Sequence, residues 1–414
     1  MGSGAGKGVT AAVGAASKEE ISAVVSSMPE DHKKKLLDAL LEKGDKTAQV
    51  AGEADCTSTS KMPQDPCVWG ITVQQLYELG IKVFGSPMEI LVSASESIMA
   101  GLNGDDMREL PGNAGLAMYD IVKDHVKPLT QGSGMSYSVM VNAKAPKKAE
   151  VFISHSWAEQ FAYFVAVLCW KCFTDEDKKG NFREIQDAQG LECRFARTEA
   201  DMRRGGLRLE AVMSMMVWAH AKQFAPETVL WICALGIDQN SDIQGQLGSG
   251  VLDCPFATVL KETPRLCVLF NMSMDLYTRV WCVLEMYIAA KKMKDEELQL
   301  DFVGMSTKAM TFDSDWLEEQ FPNDFKDCKS FWCDNLSMED QQMQATLVEK
   351  WGRKFADAFI KDNPLDVRNA NASVQKDKEL IMDAIGDLVE EVNTYISTMR
   401  VNYLSRCLPV VLDG

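Results

Sequence analysis

Arg265-Leu-Cys-Val-Leu-Phe270, a four-residue break, and Asp275-Leu-Tyr-Thr-Arg-Val-Trp-Cys-Val-Leu-Glu-Met-Tyr-Ile-Ala-Ala-Lys291 are the stretch that decides the fold. The first run reads as a buried strand and the second as a helix entered from Asp275. At 100° per residue the helix carries Leu276, Val283 and Tyr287 on one side, Tyr277, Leu284 and Ile288 on another, and Met286 opposite. A helix apolar all round is normally buried. Between Asp275 and Asp295 it holds a single acid, Glu285. Burying a carboxylate costs several kcal/mol unless something pairs with it, so Glu285 asks for a reason. One reason is an ion pair with a nearby arginine; the other is chemistry.

Outward from this unit the region reads as alternating strands and helices. The order is strand Glu150–Ser154, helix Trp157–Phe173, strand Leu191–Ala196, helix Leu207–Gln223, strand Val229–Leu235, a helix near Thr258, and then the strand and helix above. Asp301-Phe-Val303 adds a further strand. Strands separated by helices predict an α/β domain with a mostly parallel sheet and helices on both faces. Ligands of such sheets gather at the carboxyl ends of the strands. That rule singles out Ser154-His155-Ser156-Trp157, where the buried run Val151-Phe-Ile turns polar. Ser154 or Ser156 is equally suited to cap the next helix. A Ser-His nucleophile is not expected from adjacent residues.

A second cluster, Arg194, Arg197, Arg203, Arg204 and Arg208, places five guanidinium groups at a strand-to-helix loop of a markedly acidic chain. Arginine forks beside a helix N-terminus suit a pyrophosphate. The competing reading is a solvated turn paired with Glu199 and Asp201.

The strand, the short loop, Tyr277 and then Trp281-Cys282-x-x-Glu285-Met286 resemble the corresponding strand and helix of TIR (Toll/interleukin-receptor) domains, and Phe152-Ile-Ser154 resembles their first strand. The resemblance covers about residues 150–304. It implies a flavodoxin-like, TIR-like parallel sheet, with Glu285 as the catalytic residue of NAD⁺ cleavage. Ser154, His155, Ser156, Trp157, Arg197, Arg203, Arg204 and Trp281 become candidates to line a pocket for NAD or a related nucleotide, as substrate rather than tightly bound cofactor. It also implies self-association or assembly with other TIR-like proteins. The chain departs from the pattern at Arg279, where TIR domains usually carry Ser, and at Thr228–Lys261, which reads as an insertion with an extra strand. A non-catalytic TIR-like interaction module is the alternative function.

Composition sets the surroundings. The chain has 414 residues, 46% hydrophobic, with a formal charge of −17. That charge argues against nucleic acid and anionic membranes as partners. No run of about 18 apolar residues offers a membrane span. Twelve scattered cysteines, many in apolar runs, fit reduced thiols in a cytoplasmic protein. Cys169-Trp-Lys-Cys172 has redox spacing but lies in a helical segment, where packing explains it better. Four histidines without paired ligand spacing predict no metal site. Asp175 to Gln186 imitates a calcium loop, yet its fifth place is Lys179 and its twelfth lacks the required Glu.

Four regions follow. Residues 1–65 hold a Gly/Ala-rich start, an amphipathic helical segment over 18–43 and a linker; 66–145 form a small helical module; 146–310 are the α/β domain; 311–414 return to helix.

Overall fold

The computed structural model describes residues 62–103, 110, 112–178, 224–242, 250–270, 276–294, 298–304, 314–334, 346–372 and 374–411. The chain divides into Met1–Ser60, which lies outside the described residues, and Lys61–Gly414. The helix expected over 18–43, the strand over 191–196, the helix over 207–223 and the whole arginine cluster also lie outside them.

Among the described residues five strands form one sheet: β1 Ile71–Thr72, β2 Val151–Ser154, β3 Val229–Trp231, β4 Arg265–Phe270 and β5 Gln299–Gly304. Their order is β1-β3-β2-β4-β5. β1 runs antiparallel to β3, and the remaining pairs are parallel. The protein is therefore a mixed α/β structure with a mostly parallel sheet. β4 keeps the span read from its residues, and Leu266 to Phe270 are all buried. β2 is buried at each of its four positions. Successive side chains of a strand point to opposite faces, so this burial means that both faces are covered there. β5 is the more exposed edge, and its Asp301 accepts a 2.9 Å bond from Arg265 of β4.

Two groups of helices pack around the sheet. In the first, α1 Val73–Phe84 opens on a capping box between Thr72 and Gln75 and closes on Gly85 at φ +88°. It packs on α2 Pro87–Asn103 and α3 Phe161–Leu168, whose eight residues are all buried. In the second, α4 Pro255–Glu262 packs on α5 Val280–Lys294. The C-terminal helices α6 Arg353–Asp362, α7 Gln375–Ile385 and α8 Val389–Val411 follow, and both α7 and α8 contact α5.

Three sequence readings change. The segment 66–145 shares the sheet and its core rather than standing as a module, because β1 pairs Ile71 with Leu230 and Thr72 with Val229. Gly70 and Ala149 also exchange backbone bonds with Lys147 and Cys67 at 3.0 and 2.8 Å. The strand read over 229–235 ends at Trp231, and Cys233–Gly236 turns into a short helix. Its seven apolar residues carry no periodicity that separates strand from buried helix. The helix read over 157–173 starts only at Phe161, because residues 157–160 pair instead with 116–119 through Met118 N–H to Glu159 O at 2.9 Å and Tyr119 N–H to Trp157 O at 3.2 Å.

Gly304 closes β5 at φ +81°, and a Cβ there would stand 2.7 Å from the Phe270 carbonyl and 2.9 Å from the Tyr163 hydroxyl. Tyr403 of α8 donates to the Gly304 carbonyl at 3.1 Å and stacks on Phe270 at 3.7 Å. Gly304→Ala is expected to destabilise the fold by about 2–4 kcal/mol, combining left-handed backbone strain with overpacking. A denaturant midpoint unchanged from wild type would contradict that.

Candidate functional site

β2 is the branch point of the sheet. The chain leaves it to form β3 on one side, then crosses back to form β4 on the other. In open α/β sheets the crevice at such a reversal, outside the carboxyl ends of the strands, is where ligands bind. Ser154 is the last residue of β2 and sits in register with Val268 of β4. Its side chain is fully buried, and its hydroxyl donates to Glu285 Oε2 of α5.

Glu285 itself is only 6% exposed. Burial pushes its carboxyl from the ordinary 4.5 up to about 8, while the Ser154 hydroxyl and the positive charge of Arg279 pull the other way. The apolar circumference of α5 is the cause: every residue from Cys282 to Ala290 is buried with it. Glu285 thus sits near the balance between neutral and ionised forms at physiological pH.

The rest of the β2 loop builds one wall. The His155 Nδ1–H is 3.2 Å from the Ser156 carbonyl, leaving Nε2 as the acceptor 3.5 Å from the Cys233 thiol. The Trp157 indole N–H donates to the same sulfur at 3.1 Å, and the Cys282 thiol lies 3.8 Å from the His155 carbonyl. Ser156 accepts the Ala158 N–H at 3.2 Å, the local capping role expected of a serine there. This thiol–imidazole pair is not an activated nucleophile. Burial pushes Cys233 up to about 12 and His155 down to about 4, so the thiol keeps its proton and the imidazole stays neutral. Of the polar groups assembled here, Glu285 is the one poised to change charge.

Ser154 meets Glu285 directly, and His155, Ser156 and Trp157 follow it in the loop after β2. Trp281 is one helical turn before Glu285, but its indole is otherwise engaged. It donates to Asp377 of α7 at 3.2 Å and stacks on Phe256 of α4 at 5.1 Å. Arg197, Arg203 and Arg204 lie outside the described residues. Among the described residues no group of three or more His, Cys, Asp or Glu side chains is placed to hold a metal ion.

Five residues around the site are not among the candidates taken from the sequence. Cys233 comes from the strand read as an extra one, and β3 delivers it because it lies directly beside β2. Cys282 reads as core and is buried. Tyr119 has no signal in its own segment, yet its ring meets Trp157 edge-on at 5.4 Å and its hydroxyl accepts an N–H from Arg279 at 3.3 Å. Arg279 does leave a signal, as the lone cation at the entrance of an apolar helix. Glu159, in the same loop, is a second fully buried acid, and neither carboxyl oxygen has a hydrogen-bond partner among the described residues. Burial alone raises its pKa well above the ordinary range.

Compared with known protein families, curated proteins and solved structures, the chain matches none of them.

Proposed function

We propose that the chain is a TIR-like NAD⁺ glycohydrolase, a signalling enzyme that cleaves the bond between nicotinamide and ribose. The observation that carries the reading is Glu285: a buried carboxyl, raised to about 8 and bonded to Ser154, at the branch point of a parallel sheet. Further support comes from the sheet. Taken alone, the parallel strands β2 to β5 lie in the order second, first, third, fourth. The flavodoxin-like arrangement begins with that order and places its ligand at the first and third strands.

In this reading the C1′–N bond breaks and its electron pair goes to the pyridinium nitrogen, so nicotinamide leaves neutral. The ribose is left as a cation at C1′, and water or a second nucleotide then adds there, releasing a proton. Cleavage moves the positive charge from the pyridinium ring onto the ribose, and a carboxylate beside the ribose interacts more strongly with the charge there than with the charge on the ring, which is the differential that speeds a reaction. Ser154 positions the carboxyl. The eight free cysteines among the described residues support a reducing, cytoplasmic setting. Self-association, or assembly with other TIR-like proteins, belongs to the same reading.

One observation favours the second reading, a non-catalytic TIR-like interaction module. The Glu285 side chain is nearly closed off, and α7 and α8 pack against α5. Among the described residues no helix is long and apolar enough to cross a membrane.

Incubating the full chain with NAD⁺ and separating the products chromatographically distinguishes the two. Free nicotinamide accumulating in proportion to protein is the expected result. Its absence across a range of protein concentrations wide enough to drive assembly would leave the interaction module standing.

A further inference from the structure

The entrance to α5 carries a cation that makes no ion pair among the described residues. Arg279 immediately precedes the helix, partly buried, with its backbone fixed on both sides. Its own N–H reaches the Leu276 carbonyl at 3.2 Å, and the neighbouring Val280 N–H reaches the Asn371 carbonyl at 3.0 Å. The Asn371 N–H in turn reaches the Thr278 carbonyl at 2.6 Å. The backbone that carries the arginine is therefore held in place. Among the described residues its guanidinium makes one hydrogen bond, Nη1–H to the Tyr119 hydroxyl at 3.3 Å, and no ion pair. A guanidinium has five N–H donors, so most of its fork is unused.

The nearby acids are committed elsewhere. Glu285 is close enough for Arg279 to lower its pKa, yet its carboxyl remains raised to about 8 and one oxygen is bonded to Ser154. Asp377 accepts the Trp281 indole. A partly buried cation without a counter-charge costs free energy that a bound anion recovers. The planar fork of arginine matches an oxyanion with two parallel bonds.

We propose that Arg279, with Tyr119 beside it, is an anion-binding position at the mouth of the Glu285 site, and that it takes the pyrophosphate of a nucleotide ligand. The nucleotide identity rests on the NAD⁺ reading; the oxyanion site rests on Arg279 alone. Tyr119 is 45% exposed and stands against Trp157, so the cation is reached from solvent along an aromatic wall. The position is contributed by the same turn that begins α5.

The test uses the full chain and inorganic pyrophosphate, with malonate as the carboxylate comparison. Calorimetric titration is expected to show pyrophosphate binding that weakens as salt rises. Arg279→Gln is expected to weaken it roughly 10- to 150-fold, the range for charge-assisted bonds, and Arg279→Lys less, because the charge remains while the fork is lost. In the wild-type chain, pyrophosphate is expected to slow modification of Arg279 by phenylglyoxal, read by mass spectrometry, and malonate to do so less. That second measurement needs no variant to fold. Absence of pyrophosphate binding, equal affinity in folded Arg279→Gln, unprotected Arg279, or stronger protection by malonate would overturn the proposal. Pyrophosphate has no glycosidic bond, so its binding without any NAD⁺ cleavage would reject the glycohydrolase reading and leave the anion site intact.

Discussion

Glu285→Gln is expected to lower the rate of nicotinamide release by roughly 10²–10⁴, the scale attached to single acid–base groups and electrostatic stabilisers. Glutamine keeps the volume, and its carbonyl oxygen still accepts the Ser154 hydroxyl that now goes to Oε2. What disappears is the ability to become an anion opposite a ribose cation. The same substitution is expected to leave folding intact and to make the protein firmer in mild alkali, since an amide never has to ionise inside the core. A Glu285 that only supports the structure gives the reverse pattern, with stability falling and any cleavage unchanged. Measuring rate and denaturant midpoint on one pair of proteins separates these outcomes.

Stability should fall as pH rises from about 4.5 to about 8. Below 4.5 Glu285 is protonated in both folded and unfolded chains, and its environment imposes no charge penalty. Above 4.5 the unfolded chain releases the proton while the folded chain keeps it until about 8, so unfolding becomes progressively easier and then levels off. The shift corresponds to roughly 3–5 kcal/mol of stability lost across that window. Glu159 acts in the same direction, since burial alone raises it. His155 acts oppositely: held down to about 4 from 6.5, it withdraws stability as pH falls through that interval. Urea unfolding from pH 5 to 9 reads the sum. Glu159→Met removes an unpaired buried carboxyl at similar volume and is expected to raise stability at pH 8 by about 1–3 kcal/mol, flattening the slope. A wild-type profile that is flat, or that rises with pH, would show that neither carboxyl is shielded as the structure has it.

Much of the α/β core is legible in the residues because burial writes itself into runs of apolar side chains. Arg265–Phe270 is found where it is read; the helix after it begins at Val280, following a short 3-10 turn at Leu276–Thr278, and Glu285 stands out because it is the lone acid in that helix. The polar end of β2 follows from where parallel sheets put their sites. Less legible is whatever depends on distant segments meeting. Ile71-Thr72 is too short to announce a strand, and it becomes one only because Leu230 and Val229 offer a free edge. Cys233 joins His155 through strand order, which no local pattern encodes. Tyr119 reaches Arg279 across 160 residues, and Asp377 takes the Trp281 indole from α7. Trp281, a pocket candidate only through the TIR resemblance, is in the structure a clasp between α5, α4 and α7.

The most direct measurement is the pH dependence of kcat/KM for nicotinamide release by the full chain. That ratio reports the ionisation of the free enzyme. Because the carboxylate is the acting form and its folded pKa is about 8, the ratio should climb close to tenfold per pH unit from pH 6 and level off above about 8. The residual rate of Glu285→Gln should lack that rise. No nicotinamide from the wild-type chain at any pH, or a profile that Glu285→Gln reproduces at undiminished rate, would contradict the assignment of Glu285 as the catalytic carboxyl.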